Sequence, residues 1–166
     1  MKDNLSTDRL HITNNGVKYR SENPFPVEQK IVKVLLISPF DEDHQNLRRI
    51  LQHTQWQQSD AHTQAEALAF VEDQPPSVAI CESELPDGTW KDLLFRLAPM
   101  KHPPAVVVTS RLADEVLWSE VLHLGGYNVL AKPLDSKEVC HVVTFAWLSW
   151  KSQWDAPRVR VQSACQ

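Results

Sequence analysis

Hydrophobic positions along this chain fall into short apolar runs separated by segments of helical period. IVKVLLI at 31–37 is a near-continuous β-branched and leucine run, the pattern of a strand buried on both faces of a parallel sheet. It therefore belongs near the sheet centre. Leu47, Ile50 and Leu51 recur at spacings of three and four and predict a helix that Asp41 can cap. A weaker, more polar strand fits 56–61 and suits a sheet edge. Thr63 and Glu66 form a Thr-x-x-Glu capping box ahead of Ala67, Leu68, Phe70 and Val71, and Pro75-Pro76 stops that helix. The next apolar run ends at Glu82, Leu85-Pro86-Asp87-Gly88 makes a turn, and Thr89 with Asp92 opens an amphipathic segment. Strands follow at 105–108 and 127–130, separated by a helix over about 112–124 that Gly125-Gly126 ends. Asp135 with Glu138 starts a final helix reaching Trp150 or Trp154.

Five strands alternating with five helices call for an α/β fold: a doubly wound parallel sheet, helices on both faces, joined by right-handed crossovers. The domain spans 31–154. Residues 1–30 are polar, lack a sustained period and end in Asn23-Pro24-Phe25-Pro26, so they read as a flexible arm; 155–166 read as a flexible tail too short for an output domain. Net charge is -4 and the pI about 5.9, which gives no positive field to gather nucleic acid or an anionic membrane. Arg158 and Arg160 in the tail change little. No apolar run approaches the about 18 residues of a membrane span, and the amino terminus has no signal core. A soluble, cytoplasmic protein is expected.

Candidate chemistry concentrates just beyond the strands. Ser38-Pro39 follows the first, Glu82 ends the third, Thr109-Ser110 follows the fourth and Lys132-Pro133 the fifth. With strand order 2-1-3-4-5 these converge at the switch point, where open α/β sheets bind ligands. Elsewhere the signals are weak. Cysteines at 81, 140 and 165 have no metal spacing, and strand alternation aims Cys81 away from Glu82. Seven histidines include no metal pattern, and only His44 falls near the pocket. No phosphate-binding glycine loop and no nucleophile triad can be inferred.

Leu85-Pro86-Asp87-Gly88 after the third-strand carboxylate, Thr109-Ser110, and Gly125-Gly126 leading to Lys132-Pro133 together resemble a response-regulator receiver domain, of flavodoxin-like fold, over about 33–150. The resemblance implies a phosphoaccepting aspartate ending the third strand, an acidic pair holding Mg²⁺ after the first, a Thr or Ser after the fourth and a Lys-Pro with a usually cis bond after the fifth. An aromatic residue three positions before the Lys would relay the state to the face of the fourth helix, fifth strand and fifth helix. Thr109 and Lys132 match. The acceptor position holds Glu82, the acidic pair falls on Ser38 and Pro39, and the switch aromatic on Val129. Glu82 and Lys132 cancel in charge, so no metal and no cofactor is expected. The longer Glu side chain also moves the acceptor oxygen by about 1 Å, an error on the order of 100-fold in rate where orientation matters.

Three readings of Glu82 stay open: a carboxylate paired with Lys132 and Thr109 that holds the pocket in one state imitating phosphorylation, a relict ion pair that signals nothing, or a site rescued by Asp41, Glu42 and Asp43 swinging in to bind a cation. Trp147, Trp150 and Trp154 at spacings of three and four on the last helix, with Trp118 on the fourth, are candidate interface residues. The expectation is therefore a degenerate receiver, not an enzyme, that signals through a protein partner, a histidine kinase or downstream effector, with a homodimer as a further option. The alternative is an active phosphoacceptor in a phosphorelay, phosphorylated on Glu82.

Overall fold

The computed structural model describes residues 31–155. The expected arm at 1–30 and the tail beyond Asp155, with Arg158, Arg160 and Cys165, lie outside those residues. Five strands, β1 (Lys33–Ile37), β2 (Gln57–Ala61), β3 (Val78–Glu82), β6 (Ala105–Ser110) and β7 (Asn128–Ala131), form one parallel sheet in the order β2-β1-β3-β6-β7. This is the expected 2-1-3-4-5 order, with one addition. The Leu-Pro-Asp-Gly turn closes a separate antiparallel hairpin of β4 (Glu84–Leu85) and β5 (Gly88–Thr89). Helices α1 (Asp41–Leu51), α2 (Gln64–Asp73), α3 (Trp90–Leu97), α4 (Glu115–His123) and α5 (Ser136–Asp155) complete the fold.

The continuous apolar strands are explained by two cores. Leu35, Ile37, Ala79, Cys81, Val106 and Val108 face α2, α3 and α4 through Ala67, Val71, Leu93, Leu97 and Val121. Val34, Leu36, Ile80 and Val107 face α1 and α5 through Leu47, Leu51, Val142 and Val143. Neighbours along each strand thus serve opposite cores, so neither face tolerates a polar residue. On β2 only Ala61 is buried, as suits an edge strand.

Helix starts differ from expectation in detail. Asp41 does not cap α1: Phe40 holds the cap position without a side-chain bond, and Asp41, Glu42 and Asp43 occupy the first turn, where carboxylates suit the positive end of the helix. The Thr63 hydroxyl accepts from the Glu66 N–H at 3.1 Å, but the Glu66 carboxylate takes the His62 N–H at 2.7 Å and leaves the box half closed. At α3 the Asp92 carboxylate accepts from the Thr89 N–H at 2.8 Å and from its hydroxyl at 3.0 Å. Helix α4 begins at Glu115 instead of Leu112, because the Asp114 side chain accepts from the Leu117 N–H at 2.8 Å and makes the cap there. The hairpin is tied to α2 by Asp87, whose two oxygens accept from the N–H groups of Gln64 and Ala65 at 2.8 and 2.9 Å.

Asp60 on β2 fastens α1 to the sheet edge by accepting from His44 Nδ1 at 2.7 Å and pairing with Arg48. Burial would raise its carboxyl, but bonds from Gln58 and His44 and the neighbouring His44 and Arg48 outweigh burial and hold it below the ordinary value of 3.8. A depressed folded-state value contributes stability that is complete above the unfolded value and lost as pH falls through the folded one. Asp60→Asn should accordingly show a shallower loss of stability than the parent below about pH 4, in acid unfolding followed by circular dichroism. Superimposable acid limbs would show that this carboxylate does not contribute.

Candidate functional site

Because the strands are parallel, the residues at their carboxyl ends meet at one edge of the sheet, and Glu82 and Thr109 are register partners there. Glu82 is buried at 7% exposure. Its Oε1 accepts from the Ser83 hydroxyl at 3.1 Å and its Oε2 from the Thr109 hydroxyl at 3.4 Å. Oε2 also forms an ion pair with the Lys132 ammonium. The same ammonium donates to Asp43 Oδ2 at 2.5 Å, so Lys132 bridges β3 and α1. Asp43 in turn accepts from the Ser38 hydroxyl at 2.5 Å. Ser38 is fully occupied: its hydroxyl also accepts from the Phe40 N–H at 3.2 Å, and its carbonyl accepts from His44 Nε2 at 2.8 Å. The Phe40 ring lies 5.0 Å from the Lys132 nitrogen, a cation–π contact across the pocket mouth. Pro39 sits in the turn between them, with no side-chain oxygen to add.

Glu82, Thr109, Lys132 and Ser38 are thus brought together, and Asp43 joins them. Sequence reasoning had placed Asp43 in an acidic cluster available to a cation. The cation it holds is Lys132. Two carboxylates and one ammonium leave one negative charge, where Glu82 and Lys132 alone would cancel. A small cavity of about 320 Å³ opens beside the triad, lined by Glu42, Asp43, Asn46, Arg111, Lys132 and neighbours.

Magnesium requires near-octahedral oxygen ligands supplied by one or two carboxylates and water. Here Glu82 and Asp43 both close on the Lys132 ammonium, and among the described residues no three His, Cys, Asp or Glu side chains cluster closely enough to hold a metal ion. The residues present do not fit the ion.

The model of the response regulator receiver domain matches residues 34–144. This chain belongs to that family. The fold agrees with solved receivers: the signal receiver domain of an HD domain-containing protein from Pseudomonas fluorescens Pf-5 (TM-score 0.72, 19% identity, 80% of this chain and 98% of that one) and the chemotaxis response regulator CheY4 of Vibrio cholerae (0.63, 18%, 70% and 98%). The Francisella response regulator 1452 receiver domain is similar as well (0.64, 21%, 70% and 97%). No curated protein sequence matches the chain.

In this receiver the Lys132–Pro133 bond is cis. Val129, where the resemblance would put the switch aromatic, is 8% exposed on the outermost strand β7. Cys81 is fully buried in the core, where burial first and the Glu82 charge second push its thiol far up, so it is no nucleophile. The tryptophans divide. Trp118 is half exposed, and its indole N–H donates to Asn128 Oδ1 at 3.2 Å. Trp147 packs against the α1/α5 core, Trp150 lines an apolar groove with Leu94, Phe95 and Tyr127, and Trp154 meets His102 edge-on at 4.4 Å. The three on α5 are therefore half buried, each with one edge against the domain. The exposed large apolar residues of α5 are Phe145 and Leu148, which lie around the helix from the tryptophans. Helical spacing shows that residues share a face, and the sheet decides which face turns inward. Among the described residues no helix is long and apolar enough to cross a membrane.

Proposed function

We propose that this receiver is a protein-interaction module whose pocket is held in one state by its own side chains, without magnesium-dependent phosphorylation. The observation that carries this reading is the Lys132 ammonium held between Glu82 and Asp43. The one cation of the site is thereby taken up by two carboxylates of this chain. An incoming phosphoryl dianion would meet a net negative site with no divalent ion to neutralise charge developing in transfer. Glu82 stands where the phosphorylated side chain would stand and already contacts both Lys132 and Thr109, which favours a fixed mimic of the active state over a silent relict. Signalling then depends on which protein meets its surface, a kinase or a downstream effector, and the exposed apolar patch made by Leu112, just before α4, with Val116 and Trp118 on the helix is the surface offered.

The test is a Mg²⁺ titration of the full chain followed by backbone amide NMR, with and without acetyl phosphate, and intact-mass analysis. Unmoved resonances at Glu82, Thr109 and Lys132 and an unchanged mass are expected. Saturable shifts at these residues, enlarged by the donor and accompanied by one added phosphoryl mass on Glu82, would replace this reading with that of an active phosphoacceptor.

A further inference from the structure

A second concavity lies at the opposite end of the sheet from Glu82 and Thr109, where β6 and β7 begin and α3, α4 and α5 end. It is a groove of about 430 Å³ whose walls include Leu94, Phe95, Pro104, Tyr127, Trp150 and Gln153. No charged residue lines it. Phe95 is 62% exposed there, a large aromatic that no other described residue covers. The groove is also bordered by unmet hydrogen bonds. Of five buried side-chain polar atoms without a partner among the described residues, three gather at this end of the molecule: Nε1 of Trp150, Nε1 of Trp154 and Nδ1 of His102. Trp150 is part of the wall, Trp154 meets His102 edge-on, and His102 precedes Pro103, which lines the groove. Buried polar atoms are nearly always paired, so two indole N–H donors gathered in one place point to acceptors that the described residues do not supply.

Helix α5 delivers the chain to this groove: Asp155, its last residue, is two positions beyond Gln153 and five beyond Trp150. The residues that follow are Ala156-Pro157-Arg158-Val159-Arg160-Val161. Pro157 cannot continue a helix and disfavours helical backbone at Ala156, so the chain leaves the helix axis there. From Arg158 to Val161 charged and β-branched residues alternate, which in extended backbone puts both valines on one face and both arginines on the other. We propose that 157–161 turns back along the end of α5 and seats Val159 and Val161 in the groove, with Arg158 and Arg160 in solvent. The reach suffices: Trp150 lies about 8 Å back along the helix axis, and the four residues from Asp155 to Val159 extend over about 13 Å. An uncharged groove selects the valine face, because an arginine turned inward would be desolvated without a counter-charge. The extended segment also brings backbone carbonyls, the acceptors that the indole N–H groups lack. The Lys132 pocket, at the other end of the sheet, takes no part in this contact.

The experiment records ¹H–¹⁵N spectra, methyl-to-aromatic NOEs and indole hydrogen exchange of the full chain, and compares it with a variant carrying Val159→Asp and Val161→Asp. A variant carrying Arg158→Ser and Arg160→Ser is the control. The expected result is NOEs from the Val159 and Val161 methyls to the Trp150 ring, with Trp150 indole exchange at least tenfold slower than in the aspartate variant. The serine variant should keep both the NOEs and the slow exchange. Phe95→Lys, at an exposed position, should speed the exchange from the groove side while leaving the amides around Glu82 in place. Indole shifts and exchange that are the same in the parent and the aspartate variant would overturn the proposal. So would valine NOEs to another surface, or an equal effect from the serine variant. NOEs found only between labelled and unlabelled chains in a mixed sample would overturn it too, since the occupant would then be the tail of a second copy.

Discussion

Replacing Lys132 with methionine is expected to destabilise the domain by about 3–5 kcal/mol, the range for removing one partner of a buried ion pair. The side chains of Lys132, Glu82 and Asp43 are only 8%, 9% and 13% exposed. Methionine keeps most of the stem volume, so the loss is electrostatic: two carboxylates remain facing one another in a site from which water is largely excluded. Thr109 and Ser38 each still donate one hydrogen bond, but neither supplies positive charge. Urea denaturation should show the midpoint falling with the slope unchanged. Adding Glu82→Gln and Asp43→Asn to the Lys132→Met variant should recover most of the loss, because it removes the stranded charges. A loss below about 1 kcal/mol would mean that solvent screens the triad as it does a surface pair, and the fixed-state reading would lose its physical basis.

Gly126→Ala should cost about 1–3 kcal/mol through overpacking. A Cβ at this position would stand 2.5 Å from Val121 Cγ1 and 3.0 Å from the Val121 carbonyl oxygen. Val121 is fully buried and its branched side chain is stiff at χ1. The backbone cannot easily give either, since the Gly126 N–H donates to that carbonyl at 2.8 Å and closes the end of α4. Gly125 beside it has φ +97° and turns the chain toward β7. Pairing Gly126→Ala with Val121→Ala should cost less than the sum of the two single changes, since the second makes room for the first. Strict additivity in denaturation would show that the two side chains do not compete for this space.

The acidic limb of stability at Asp60 and the pocket's response to Mg²⁺ and acetyl phosphate test separate parts of the molecule.

Local pattern was enough for much of this. The apolar run at 31–37 announced a doubly buried strand, and Gly125-Gly126 announced the end of α4. Once the strands are parallel and ordered 2-1-3-4-5, the residues after their carboxyl ends must share one edge, so the meeting of Ser38, Glu82, Thr109 and Lys132 was legible from chain order alone. The observed order β2-β1-β3-β6-β7 bears that frame out. The hairpin of β4 and β5 was not legible, because two-residue strands have no period to read.

What only the tertiary structure decided is where the charges of the pocket close. Asp43 lies 89 residues from Lys132 in the chain, and from sequence its carboxylate serves equally as a helix-end charge or a cation ligand. The packing of α1 on the sheet edge, fastened by His44 and Asp60, brings it within reach of the lysine. The tryptophans of α5 show the same limit, since their spacing placed them on one side of a helix and the sheet turned that side half inward. Periodicity and chain order are local properties that a sequence states outright. The partner of a charge and the exposed side of a helix depend on which distant surface packs against them, and this protein's pocket is settled at that level.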